Sequence, residues 1–413
     1  MMSRRMKAVG VLGATTLVLA GCAGGSGTDG ADGVVTIDFL APEYSEATAP
    51  YWQDLIERFE AENEGIKIAL QTISWSDINT KINTLVSTGE EPDIINLDSY
   101  AAFAADELLL PADEVLPEQS YDDLIPALLE NATFDGTVYG IPFVASARAL
   151  FYNPDILAEA GVAEAPTTWA QLKEAALAVT EKTDSIGYGM PVGAPEAFGE
   201  FSIWAWNNGG GWKDGENWAI NQPANVEALE AMAAMYNAGV TQESPWVSNR
   251  DDLFKMFGEG QIGIIEGAAF LPAVMEGQGS TIPYEVVPSP TNGKAAQATL
   301  AVQDYLMVFN STEHPEEAGA FLSFFYESEN YQAFLKAEGM LPVTQSAADD
   351  MADDPIAGPF VALLENARFY PTTDPNWPSV NQEAVAKLGL AISGEQSAQQ
   401  VLDALQQYAE GLR

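Results

Sequence analysis

Ten aromatic side chains stand out by their neighbours. Tyr44, Trp75, Tyr100, Trp204, Trp206, Trp212, Phe270, Tyr305, Tyr370 and Trp377 lie mostly at strand ends or in polar loops beside Glu, Asp, Asn or Gln. A flat ring can cover the C–H face of a sugar while carboxylates and amides hold its hydroxyls and fix its orientation. That is recognition chemistry. Core packing is the competing reading for each ring taken alone. Trp52, Trp169 and Trp246 are assigned to it, the first two because they fall on helical core stripes.

Acid–base chemistry has its materials too, since two carboxylates several ångström apart suffice for glycoside cleavage. With 60 Asp+Glu in the chain, however, no single pair is informative. There is no Gly-x-Ser-x-Gly elbow, no phosphate loop ending in Lys-Ser/Thr and no His-Glu-x-x-His helix. The run Asp349-Asp350-Met351-Ala352-Asp353-Asp354 lacks the Gly and Glu register of a calcium loop and reads as a solvated acidic turn. One Cys and one His leave no disulfide framework, no Cys/His zinc site and no Cys–His nucleophile pair. No catalytic residue, metal or cofactor is therefore expected.

The elements that must position these side chains alternate between strand and helix. Val34 to Leu40 places Val35, Ile37 and Phe39 on one face, and Tyr51 to Glu62 follows with Trp52, Leu55, Ile56 and Phe59 at helical spacing. Ile66, Ile68 and Leu70 mark a second strand, Ser76 to Ser87 a helix, and Pro92 to Leu97 a short apolar strand suited to a parallel sheet. Thr168-Trp169-Ala170-Gln171 fits a capping box. Pro223 opens a helix that ends at Gly239, and His314 to Tyr326 forms another. Repeated βα units in 413 residues argue for an α/β fold with parallel sheets covered by helices, in more than one domain. No internal repeat of fixed period is present.

Charge narrows the partners. A formal net charge of −43 repels phosphate backbones and anionic lipid, so nucleic-acid binding and electrostatic membrane docking are set aside. With 47% hydrophobic and 10% aromatic residues the chain can bury a core and is not disordered. Arg4, Arg5 and Lys7 precede an apolar stretch, Ala8 to Ala20, that is too short to span a membrane. It ends in Leu19-Ala20-Gly21-Cys22, which resembles a bacterial lipobox and implies cleavage before Cys22 and lipidation of that residue. Residues 1–21 then form a signal peptide, residues 22–33 a glycine-rich tether, and the processed chain carries 14 Lys+Arg and a charge of −46.

A longer resemblance runs through the body. Asp135-Gly136-Thr137-Val138-Tyr139-Gly140-Ile141-Pro142-Phe143, continuing through Ala149-Leu150-Phe151-Tyr152-Asn153-Pro154-Asp155-Ile156-Leu157 to Ala160-Gly161-Val162, closely resembles the hallmark stretch of extracellular solute-binding proteins, family 1. These are the sugar-type receptors of bacterial ABC importers. Gly89 to Asp93, Pro166 to Trp169, Phe257 to Ile264 and Glu338 to Pro342 are similar to further landmarks of that family and fall in order. The resemblance implies two α/β lobes closing on a cleft by hinge bending. One lobe would comprise residues 34–142 plus 309–357, the other residues 143–308 plus 358–413, with hinges near Phe143 to Arg148 and Gln303 to Phe309.

The same resemblance nominates ligand contacts. Glu43 and Tyr44 follow the first strand, Trp75 and Asp77 end the second, and Asp98 and Tyr100 follow the third. Ser146 and Arg148 lie two apart on a crossover strand, hence on one face. For Arg148 a structural ion pair is an open alternative. Glu200 and Trp204 are an i, i+4 pair able to present an acid and a ring together. Arg368, Tyr370 and Trp377 would line the other wall. Two departures affect the ligand: Gly267-Ala268-Ala269-Phe270 stands where sugar binders show Gly-x-Trp, leaving Phe270 as the substitute, and Val302-Gln303-Asp304-Tyr305 replaces a glycine-rich approach, so Gln303 and Asp304 are nominated for compensating hydroxyl contacts.

These readings imply a monomeric, lipid-anchored receptor outside the cytoplasm. It would capture a sugar or oligosaccharide and deliver it to membrane permease subunits powered by a cytoplasmic ATPase. Two alternatives stay open, a receptor of the same fold for a polyamine, polyol phosphate or peptide, and a secreted glycosidase.

Overall fold

The computed structural model describes residues 34–354, 356–363 and 366–412; Cys22, the leader and the tether lie outside them. The first strand, β1 (Val35–Glu43), leads into helix α1 (Thr48–Glu62), whose Trp52, Leu55, Ile56 and Phe59 are buried as their spacing predicts. Strand β2 (Ile66–Ser74) pairs with β1 in parallel from Val35↔Ile66 to Glu43↔Ser74. Trp75 does not end this strand. It opens helix α2 (Trp75–Thr88), with Ser74 extended at the N-cap and Asp77 exposed in the first turn. Gly89 closes α2 in the left-handed region at φ 68°, a conformation open to glycine, and the chain turns into β3 (Ile94–Leu97), all four residues buried.

Two long strands then tie the molecule together. Strand β4 (Ile141–Tyr152) is buried along all 12 residues, and its first half pairs antiparallel with the strand Thr299–Val308. Its second half, Arg148 to Tyr152, pairs with the strand Ile262–Ala268, which in turn runs parallel to Ile186–Gly189. Labelled in chain order, Ile186–Gly189 is β5, Ile262–Ala268 is β6, Glu285–Val287 is β7, Thr299–Val308 is β8 and Ala367–Arg368 is β9. The sheet order is β2-β1-β3-β8-β4-β6-β5, with β7 on β4 and β9 on β8. The stretches where hinges are expected fall on this hydrogen-bonded ribbon of β4 and β8 or at its end. Its register shifts between Asp304 and Tyr305. Leu341 and Ala145 also exchange backbone hydrogen bonds of 2.8 and 3.0 Å.

Aromatic packing fills each lobe. Trp52 stacks on Phe143, at the start of β4, at 6.1 Å and meets Phe39 edge-on at 4.9 Å. Further aromatic pairs of this kind join Phe321, Phe325 and Phe334 to it, each adding about 0.5–1.5 kcal/mol beyond area burial. In the second lobe Trp212 packs on Phe201 and Trp377 at 5.4 and 5.0 Å. Helix α3 (Trp169–Lys182) carries the expected capping box between Thr168 and Gln171. Trp169 itself is only partly covered; its ring lies 5.0 Å from Trp204 and its indole N–H donates to the Pro290 carbonyl at 3.1 Å. Trp246 is likewise partly buried, against Tyr236 at 5.2 Å. Among the described residues no helix is long and apolar enough to cross a membrane.

Candidate functional site

The parallel pairing of β1 with β2 and β3 brings their C-terminal ends to one edge, where open α/β sheets offer their crevice. Glu43, Tyr44, Trp75 and Asp98 line that edge. Opposite stand Glu196, Phe198, Arg250, Phe270 and Tyr370, and the ribbon supplies the floor through Val144, Ser146, Arg148, Val302 and Asp304. The cleft, open to solvent on one side, measures about 720 Å³, large enough for a ligand of oligosaccharide size.

Strand parity selects the floor. Val302 faces Ser146 and Asp304 faces Val144 across the antiparallel pair, so these four side chains share one side. Ser146 and Arg148 sit together as their spacing predicts. Gln303 points the other way, its amide donating to the Leu128 carbonyl at 3.0 Å. The Tyr44 hydroxyl donates to Asp304 Oδ2 at 2.6 Å and lies 2.9 Å from Asn96 Oδ1. Burial pushes the Asp304 carboxyl up to about 7; the Tyr44 hydrogen bond opposes this, and Asp98 adds to it. Asp98 is raised by burial as well, against hydrogen bonds from its own backbone and Ser99.

The opposite wall is organised around one carboxylate. Glu196 Oε1 accepts from Arg148 Nε at 3.2 Å and Nη2 at 3.0 Å, while Oε2 accepts from Arg250 Nη1 at 3.0 Å. Arg148 also donates to Ser146 Oγ at 3.3 Å, and Arg250 Nε to Asp251 Oδ1 at 3.1 Å. The Phe270 ring lies 5.7 Å from the Arg148 guanidinium carbon and 5.1 Å from that of Arg250, within cation–π range of both. Burial alone would raise Glu196, but the two guanidinium groups hold it below the usual carboxylate range. Arg148 thus forms the structural ion pair, and that pair borders the cleft.

Seven nominated side chains do not line the cleft, Gln303 among them. Asp77 is exposed on α2, where Ser74 Oγ donates to it at 2.8 Å, and Arg368 is exposed on β9. Tyr100 is buried beside Tyr305 at 4.9 Å. Glu200 and Trp204, on helix α4 (Ala197–Trp206), turn inward to one another: the indole N–H donates to Glu200 Oε1 at 3.0 Å, and the Tyr188 hydroxyl donates to the same oxygen at 2.6 Å. Burial raises this acid to about 7, and it raises Glu266, whose second cause is the nearby Glu200, to about 8. Trp377, 1% exposed, lies behind the wall stacked on Tyr370 at 5.4 Å and 22°. With Gln303, already described, these rings and acids are structural neighbours of the site.

Sequence reasoning missed Glu196, Phe198 and Arg250. Glu196 lies seven residues beyond the end of β5, at the N-cap of α4, and so lacks the strand-exit signal of Asp98, which directly follows β3. Arg250 carried the weak signal of a rare cation just after Asn249, the cap of the helix Arg250–Gly258. Among the described residues no group of three or more His, Cys, Asp and Glu is placed to hold a metal ion.

The sequence model of the bacterial extracellular solute-binding proteins matches residues 44–332. The chain belongs to this family. Among the relatives of this solute-binding protein, one from Brucella abortus (strain 2308), named only as a binding protein, is 29% identical over 387 residues and covers 92% of each chain. The diacetylchitobiose-binding protein of Streptomyces coelicolor is 24% identical over 406 residues, covering 93% of this chain and 92% of its own. A sugar transporter from Arthrobacter chlorophenolicus with bound laminaribiose superposes with a TM-score of 0.82 at 20% identity, over 92% of this chain and 99% of that one. The fold is accordingly the two-lobed architecture of periplasmic binding proteins.

Proposed function

We propose that this solute-binding protein is the capture component of an ABC importer, binding a sugar or oligosaccharide in the cleft and presenting it to permease subunits in the membrane. The observation that carries this reading is the composition of the cleft. The rings of Trp75, Phe270 and Tyr370 face a space shared with Asp98, Asp304 and Ser146, which gives stacking faces together with hydroxyl acceptors and donors. The relatives support the ligand class: one is named for a chitobiose derivative, and a neighbour of the same fold holds a disaccharide. Residues 34–142 with 309–357 form one closing body in this reading, and residues 143–308 with 358–413 the other. Cys22 carries the lipid that keeps a monomer at the outer face of the cell membrane, and the cleft holds its solute without transforming it.

The test is thermal. A ligand that binds only the native state stabilises it by about 2.7 kcal/mol at a hundred times its dissociation constant. The purified protein heated with a panel of neutral oligosaccharides should melt higher with at least one of them, with no hydrolysis products on prolonged incubation. A rise with a polyamine, a polyol phosphate or a peptide and with no saccharide would overturn the sugar assignment and keep the receptor.

A further inference from the structure

The cleft lining contains two guanidinium groups, Arg148 and Arg250, against seven carboxyl groups. Both cations converge on one of those carboxylates. Planar guanidinium forks suit carboxylate, sulfate and phosphate, and two of them aimed at one point form an anion site. In this protein the anion is supplied by the chain itself. Both oxygens of Glu196 are engaged, and its side chain is 90% buried in that position. The packing leaves a fitted slot for it: a Cβ on Gly199 would stand 2.9 Å from Glu196 Oε1, so glycine there admits the carboxylate. Phe270, against both guanidinium groups, braces the fork from the side.

We infer that Glu196 is a specificity-determining residue, an internal anion that occupies the Arg148–Arg250 fork and so closes the cleft to acidic solutes. This rests on the reading of the cleft as a solute site. With the fork filled, a carboxylate, sulfate or phosphate on a solute meets a lining of excess negative charge with no free cation among the described lining residues, which is selectivity by repulsion. Neutralising Glu196 leaves two positive charges at a vacated anion position in the same wall. A salt bridge that only held the fold together would change stability when broken and would leave the charge preference of the cleft unaltered.

Two measurements on the purified protein decide this. In the first, wild type, Glu196→Ala and Glu196→Gln are melted against increasing inorganic phosphate, with chloride adjusted to hold ionic strength constant. The variants should show a saturable rise in melting temperature that is absent from wild type and lost again in Glu196→Ala/Arg250→Ala. If Glu196→Ala does not fold, Glu196→Gln, which keeps the shape of the side chain, decides alone. A folded variant with no saturable phosphate effect overturns the inference. In the second, a neutral disaccharide is compared with its uronate-bearing counterpart. The variants should shift the affinity ratio toward the acidic sugar by about tenfold or more. Wild type binding both equally overturns the inference. If no saccharide binds any form, the sugar assignment fails, and the phosphate series still decides the role of Glu196.

Discussion

Tyr44 and Asp304, 260 positions apart in the chain, are joined by a 2.6 Å hydrogen bond that fastens the end of β1 to the crossover strand β8. Asp304 is 6% exposed, so the bond supplies a donor that bulk water does not. Tyr44→Phe should cost about 1–3 kcal/mol of stability, read as a lower urea midpoint, because a buried acceptor is left without its partner. Solute affinity should fall too, by calorimetry. An unchanged midpoint would show that the cleft rehydrates the carboxyl freely.

The same bond makes a prediction about pH. Asp304 titrates at about 7, and its ionised form is the better acceptor for solute hydroxyls. Affinity should therefore rise as pH increases from 6 to 8. In Tyr44→Phe, where the hydrogen bond that lowers the titration is gone, the rise should move to higher pH. A flat wild-type profile over that range would remove Asp304 from the contact.

Glu266 should shape stability in the opposite sense. Its carboxyl is buried and titrates at about 8 when folded against 4.5 when free, so between those values the folded chain holds a proton that the unfolded chain has released. Its contribution is fully present below pH 4.5 and is lost as pH rises through about 8. Glu200, raised to about 7, acts in the same direction. The unfolding free energy from urea titration should fall between pH 5 and pH 8 by an amount on the order of a few kcal/mol, and Glu266→Gln should flatten much of that slope. Parallel slopes in wild type and variant would exclude this residue.

Trp204→Phe separates structure from recognition. The substitution removes the N–H held by Glu200 and should destabilise the protein by about 1–3 kcal/mol in chemical denaturation. Solute affinity should remain within about twofold, because the ring does not line the cleft. A large loss of affinity with intact stability would return Trp204 to the binding face.

Phe270→Ala should do the reverse. The ring is half-buried and borders the cleft, so truncation should weaken solute binding by about tenfold, while Phe270→Trp should retain or strengthen it. Equal binding by all three forms would assign the ring to bracing Arg148 and Arg250 alone.

The βα alternation of the first lobe is legible in the sequence because burial imposes it directly. Ile37 and Phe39 alternate with exposed Thr36 and Asp38, and β3 is buried at all four positions, apolar but for Asn96, because it is covered on both faces. Glu43, Tyr44 and Asp98 follow from the same logic, since strand exits of a parallel sheet share an edge. Gln303 and Asp304 show where local reading ends: neighbours on a strand face opposite sides, and which one faces the solute depends on the register of β8 against β4, where a bulge intervenes. Glu200 and Trp204 do share a helix face, but nearly all of α4 is buried, so no polar side marks which face turns to the cleft. The Arg148–Glu196–Arg250 cluster joins residues 48 and 54 positions apart, a contact that only the tertiary fold creates.

The ribbon of β4 and β8 has a mechanical meaning. Flexible loops would let two bodies swing freely, but a pair of long antiparallel strands buried along most of their length behaves as a torsion bar clamped at each end. If the two bodies proposed above close on one another, opening and closing amount to winding and unwinding that bar, with the register shift after Asp304 setting its resting pitch. On that proposal the gape of the cleft is an elastic property of two strands, adjustable by residues away from its lining.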